Sequence, residues 1–160
     1  ELLKRGLNYG LKGGLVDFTT STTDKFLEDG ERKCSRALCD FIEKGVNIKN
    51  ISFTSDGQGS LPQFDKDGNF TGLQIGQVSS LFKEVRDAVL KEGLNLSEAL
   101  KVITTNPARN LKLTNKGQLS IGKDADIVLL EKNDLKIDTV IAMGKVMVKD
   151  GNVERKGTFE

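Results

Sequence analysis

Only two apolar, β-branched runs alternate with helical stripes in this chain, and two parallel strands do not make a closed sheet. The runs lie at residues 15–20 and 48–54. Residues 2–12 read as a helix that stops at Gly13-Gly14. From Glu31, the apolar positions Cys34, Ala37, Leu38, Phe41 and Ile42 recur at helical spacing, and Gly45 closes that helix. Residues 22–30 between the first run and this helix are polar and predict a loop. A Gly-rich loop is expected over 55–72, with Asp65-Lys66-Asp67-Gly68-Asn69 as its turn. Val78, Leu81, Phe82, Val85, Ala88 and Val89 form the clearest amphipathic stripe, ended by Gly93. Asn95 with Glu98 predicts a capping box for a further helix, which Pro107 interrupts. Strands alternating with helices imply a helix-covered parallel sheet. Sequence outside these residues, or another copy of the chain, has to complete it.

The pattern changes at Gly117. Residues 126–130, 139–143 and 145–149 read as short strands, with turns at Gly144 and Asp150-Gly151 and a further strand at 152–156. Such an all-β tail is too small for a stable sandwich of its own. The chain also opens on Glu1 rather than Met, with Leu2, Leu3, Leu7 and Leu11 already on one helical face. Together these features predict a piece of a longer chain.

Residue counts remove several kinds of chemistry. The chain has no His, which excludes a self-contained Ser-His-Asp triad, a Cys-His pair and any His-ligated metal site. Its two cysteines, Cys34 and Cys39, are five apart in a helical pattern and point to different faces. They suit neither a disulfide nor a zinc clip, and free thiols point to a cytoplasmic setting. Lys and Arg number 24 against 23 Asp and Glu, so no general attraction to nucleic acid or anionic lipid is expected. No apolar run approaches the roughly 20 residues of a membrane span, and no signal-peptide pattern is present.

The most informative segment is Ser52-Phe53-Thr54-Ser55-Asp56-Gly57-Gln58-Gly59-Ser60. Asp56 follows a strand, at the end where parallel α/β folds collect catalytic groups. The two glycines allow close backbone approach to a ligand, and Ser60 offers a hydroxyl. An Asp-Gly pair is also ordinary turn punctuation, with Ser60 then a cap. A Walker phosphate loop is a poor match, because Ser60 stands where that loop needs Lys. Other features read as structural. Asp17, between Val16 and Phe18, is expected to face an edge. Asp126, after Gly122-Lys123-Asp124-Ala125, is expected to hold backbone N–H groups in a tight turn. Asn106-Pro107-Ala108 reads as a helix break, and residues 83–86 as a solvated helix face.

Three segments in this order resemble the C-terminal part of an amidohydrolase-superfamily enzyme. They are Asp56 after its strand, Thr104-Thr105-Asn106-Pro107-Ala108-Arg109 after a helix pair, and Gly117-Gln118-Leu119 leading to Ile121-Gly122-Lys123-Asp124-Ala125-Asp126-Ile127-Val128. Within the superfamily the chain is most similar to isoaspartyl (β-aspartyl) dipeptidases. That likeness rests on Ser55-Asp56-Gly57-Gln58-Gly59-Ser60 with Pro62, on Phe64-Asp65 and Asp67-Gly68-Asn69, and on Gly144-Lys145-Val146-Met147-Val148-Lys149-Asp150-Gly151. The terminal Lys156-Gly157-Thr158-Phe159-Glu160 matches that family's ending as well.

The resemblance implies an α/β fold: the C-terminal portion of a (β/α)8 TIM-like barrel plus part of a small β-sandwich. Residues 1–116 would carry the last barrel strands and helices, and 117–160 the sandwich strands. It implies a two-zinc metallopeptidase that cleaves dipeptides linked through an aspartate side chain. Asp56 would ligate a metal and move the proton of the attacking water, and Ser60 would bind a substrate carboxylate. The other ligands, histidines and a bridging carboxylated lysine or glutamate, would precede Glu1. The chain alone is then expected to be inert and to bind zinc weakly. It would need the N-terminal part of its own chain, and its open sheet edges predict a homo-oligomer. Competing readings are a dihydroorotase-like or deacetylase-like amidohydrolase and a non-catalytic assembly module.

Overall fold

The structure, a computed structural model, describes residues 1–22, 27 and 30–156. Most of the loop expected over 22–30 lies outside the described residues. The chain divides into two compact units, Glu1–Pro107 and Ala108–Glu160.

The first unit is built on a parallel strand pair. Helix α1 (Leu2–Leu11) leads to β1 (Val16–Thr19), α2 (Cys34–Glu43), β2 (Ile51–Thr54), β3 (Ser60–Phe64), β4 (Phe70–Ile75), α3 (Ser80–Leu90) and α4 (Leu96–Ala99). Strands β1 and β2 pair in parallel, Val16 with Ile51 through Thr19 with Thr54. Alternation along the two strands separates their faces. Phe18, Ile51 and Phe53 are buried and join Leu38, Phe41, Val85, Ala88 and Val102 in one core. The Phe18 ring meets Phe41 edge-on at 5.0 Å and Phe53 at 6.1 Å. The opposite face carries Asp17, Thr19, Ser52 and Thr54, all polar.

Five expectations need correction here. Residues 48–50 are a 3-10 turn rather than strand, because the Asn47 side chain accepts from the Lys49 N–H and curls the backbone. Residues 55–72 are not one loop. Ser60–Phe64 and Phe70–Ile75 form an antiparallel hairpin, and Asp65 organises its tip by accepting from the backbone N–H of Asp67 and Asn69. The capping box is half made. Asn95 accepts from the Ser97 N–H, while the Glu98 carboxylate accepts from Lys101 Nζ. Pro107 does not end a helix but lies in the first turn of a new one, α5 (Thr105–Asn110), where no intrahelical N–H is needed. The run 83–86 is not uniformly solvated. Glu84 is buried and accepts from the Ser35 N–H at 2.8 Å, pairing a buried amide in the first turn of α2 that has no intrahelical partner.

The second unit is an antiparallel meander of β5 (Ile127–Leu130), β6 (Ile137–Ala142), β7 (Lys145–Lys149) and β8 (Asn152–Val153). Asp126 anchors the turn before it. One carboxylate oxygen accepts from the Met143 N–H at 2.8 Å and the other from Lys116 Nζ at 2.6 Å. Those contacts, the lysine first, hold the Asp126 carboxyl below its usual range. No helix among the described residues is long and apolar enough to cross a membrane.

Candidate active-site loop

Asp56 lies two residues beyond β2 and is exposed, as is Ser60, the first residue of β3. The backbone between them is a tight turn, closed by the Gly59 N–H donating to the Asp56 carbonyl at 2.9 Å. Asp56 has φ +47° and Gln58 φ +68°, both in the left-handed region that non-glycine residues seldom adopt. Backbone of this kind persists only where surrounding structure holds it, and it is concentrated at functional sites.

The holding contacts come from the hairpin and from β1. Gly76, just past β4, donates its N–H to the Gly59 carbonyl at 2.8 Å, and its own carbonyl accepts from the Gln58 N–H at 2.9 Å. A Cβ at Gly76 would stand 2.5 Å from the Asp56 carbonyl oxygen, so only glycine lets the chain pass so close. A Cβ at Gly59 would stand 2.8 Å from the Asp56 carboxylate. On the other side, the Thr20 N–H and hydroxyl both donate to the Thr54 carbonyl, at 2.7 and 3.1 Å. The Ser21 hydroxyl donates to the Ser55 carbonyl. The Thr20 hydroxyl also meets Ser80 Oγ at 2.7 Å, tying the first turn of α3 to the strand ends.

Both residues singled out from the sequence are therefore in one loop at the C-terminal end of the parallel pair. Ser60 shares a hairpin face with its partner Ile75 and with Pro62 and Leu73. Leu61, Gln74 and Ile75 line a cavity of about 330 Å³ together with Thr20, Ser21, Ser80 and Lys83. Asp56 and Ser60 are not among its described lining residues. Gly76, Thr20, Ser21 and Ser80 were not singled out by the sequence. The available signal was the Asp65-Lys66-Asp67-Gly68-Asn69 turn itself, which reverses the chain and so brings the segments on either side of it together.

A metal needs more than this loop. Among the described residues no three His, Cys, Asp or Glu side chains cluster as ligands. Asp56 is a single carboxylate, so the residues present do not by themselves fit a zinc pair. The cysteines offer no site either. Both are free and buried, and burial above all pushes the Cys34 thiol up to about 12.

A strand pair with helices on one face, a polar opposite face and an acid at the strand end is the layout of a barrel hydrolase segment. A sequence model of the amidohydrolase family matches residues 19–147, and the chain belongs to that family. A crystal structure of β-aspartyl dipeptidase from Fervidobacterium islandicum AW-1, in complex with a β-Asp-Leu dipeptide, superposes with a TM-score of 0.78 and 39% identity. The match covers 98% of this chain and 40% of that one. N-acetylglucosamine-6-phosphate deacetylase of Lysinibacillus sphaericus is 30% identical over 146 residues, which is 90% of this chain and 32% of the relative. An allantoinase of Enterococcus faecalis is 41% identical over 101 residues, 61% of this chain and 21% of the relative. The chain thus spans well under half the length of the proteins it resembles.

Proposed function

We propose that these residues are the C-terminal portion of a zinc-dependent β-aspartyl dipeptidase. The observation carrying this reading is the 39% identity with the Fervidobacterium dipeptidase across 98% of the chain. In this reading residues 1–116 belong to the barrel and 117–160 to the β-sandwich. The rest of the barrel, with the remaining metal ligands, lies outside these 160 residues. The 160 residues alone are inert, and tight stoichiometric zinc on them would contradict the reading.

Asp56 acts on protons. Its carboxylate accepts one from the attacking water and delivers it to the amine that leaves as the side-chain amide bond breaks. The turn closed by Gly59 and Gly76 holds the backbone that carries that carboxylate before substrate arrives, which lowers the entropic cost of aiming it. Ser60 donates its hydroxyl to a substrate carboxylate. Bound zinc would supply an acidified water and neutralise developing negative charge. The unpaired, buried cysteines support a reducing, cytoplasmic setting. Exposed Phe70, Leu73 and Ile75 on the hairpin support a homo-oligomer.

The second reading is a deacetylase, favoured by the 30% identity over 90% of the chain. A substrate panel on the complete reading frame separates the two. β-Asp-Leu alone should be hydrolysed. Release of acetate from N-acetylglucosamine 6-phosphate, with β-Asp-Leu untouched, would overturn the dipeptidase reading.

A further inference from the structure

Asp17 is the charged group on the polar face of the strand pair, and it does not face an edge. Its register partner across the sheet is Ser52. One carboxylate oxygen accepts from Ser52 Oγ at 2.5 Å and the other from Thr54 Oγ1 at 2.6 Å. Both contacts are in the short range of charge-assisted O–H···O⁻ bonds, roughly twice as strong as neutral ones. Both reach the strand that delivers Asp56, and the second grips it two residues before that carboxylate. The Thr54 carbonyl is also held by Thr20, the residue just past β1.

We propose that Asp17 is a positioning residue for Asp56, and this rests on the reading of Asp56 as the proton-transferring group. A sheet pair needs no carboxylate for adhesion, since the backbone ladder and the buried face of Phe18, Ile51 and Phe53 already hold the two strands together. A carboxylate clamped by two hydroxyls fixes something packing does not, namely the height of β2 along β1. A slip of β2 along its axis breaks both bonds and carries Asp56 with it. Left-handed backbone at Asp56 and Gln58 has little intrinsic preference for its geometry, so the strand end below it must be held.

The test uses the complete reading frame with D17A, D17N, T54V, the double variant D17A/T54V and D56N. D17A should lower kcat on β-Asp-Leu by about 10- to 100-fold with KM nearly unchanged, as expected for a displaced reacting group. T54V should do much the same. The double variant should be no worse than the poorer single, because both cut one clamp. D17N keeps one acceptor oxygen and should recover part of the loss. Backbone hydrogen exchange at Thr20, Gln58 and Gly59, whose amides donate to the carbonyls of Thr54, Gly76 and Asp56, should quicken by about tenfold in D17A. Unchanged exchange there, kcat within twofold of the parent, or losses that multiply in the double variant would overturn the proposal. D17N and T54V carry the test if D17A does not fold. D56N keeps the two readings apart. Full activity in D56N removes the role of Asp56, whereas the exchange measurement still reports whether Asp17 holds the loop.

Discussion

Gly76→Ala is the sharpest perturbation of the Asp56 loop, because its effect is steric alone. Gly76 lies outside the left-handed region, so alanine can adopt its backbone angles. Its Cβ would nevertheless sit 2.5 Å from the Asp56 carbonyl oxygen and 3.1 Å from Ser21 Oγ, and the nearer contact is under the 3.0 Å limit that real Cβ atoms respect. The nearer atom is backbone and cannot rotate away. Overpacking of this kind costs about 1–3 kcal/mol. Relief requires Gly76 to retreat, which stretches its hydrogen bonds with Gln58 and Gly59, each contributing about 0.5–1.5 kcal/mol net. Overpacking and loss of both bonds together come to about 2–6 kcal/mol, borne by the loop that aims Asp56. Gly68→Ala is the control. Gly68 has φ +83° with nothing within 4 Å of a Cβ, so it carries only the left-handed penalty of about 1–2 kcal/mol. Denaturant midpoints at constant slope measure both variants, and kcat on β-Asp-Leu measures the loop. G76A should lose more stability than G68A and most of its kcat, with G68A near the parent. Equal midpoints together with an intact kcat in G76A would refute the steric argument.

Two other residues give independent checks. Asn106 is buried and its Nδ2 donates to the carbonyls of Ile48 and Ile51, both at 2.8 Å. N106A leaves both acceptors without that donor and should cost about 2–4 kcal/mol in urea unfolding, with N106D worse because it sets a carboxylate against two carbonyls. A loss below about 1 kcal/mol would show the strap to be dispensable. Cys34 should resist iodoacetamide near neutral pH, since burial and then the charges of Glu84, Glu31 and Asp17 push its thiol up to about 12. A raised pKa means the folded protein holds the thiol proton more tightly. That stabilisation is complete below the unfolded thiol value and is lost as pH rises toward 12. C34A should therefore flatten the alkaline fall in stability, and stoichiometric alkylation mapped to Cys34 in native protein would contradict the assignment.

What the sequence made legible was whatever depended on local pattern. The stripe from Leu81 to Val89 and the alternation of Ile51 and Phe53 specify their elements because a buried face has a fixed period. Asp126 was readable as a turn anchor because the Gly122-Lys123-Asp124-Ala125 turn directly before it is marked in the local sequence. The hairpin at 60–75 was obscured by its glycines and exposed apolar residues, which break the usual contrast between buried and solvated faces. Glu84, Asn106 and Asp17 were misjudged for one reason. Their partners, Ser35, Ile48 and Ile51, and Ser52 and Thr54, are 35 or more positions away or on another element, and only packing brings them together. Asp56 and Ser60 were visible as a motif. The contacts through Gly76, Thr20 and Ser21 that hold the loop were not, because each depends on the strand pair having formed.

The most direct measurement is hydrolysis of β-Asp-Leu beside α-Asp-Leu by the complete, zinc-loaded protein and its D56N variant, with a chelated sample as control. The account predicts cleavage of the β-linked isomer only, abolished by chelation and reduced by at least about 10²-fold in D56N. Cleavage of both isomers, or undiminished turnover in D56N, would contradict it.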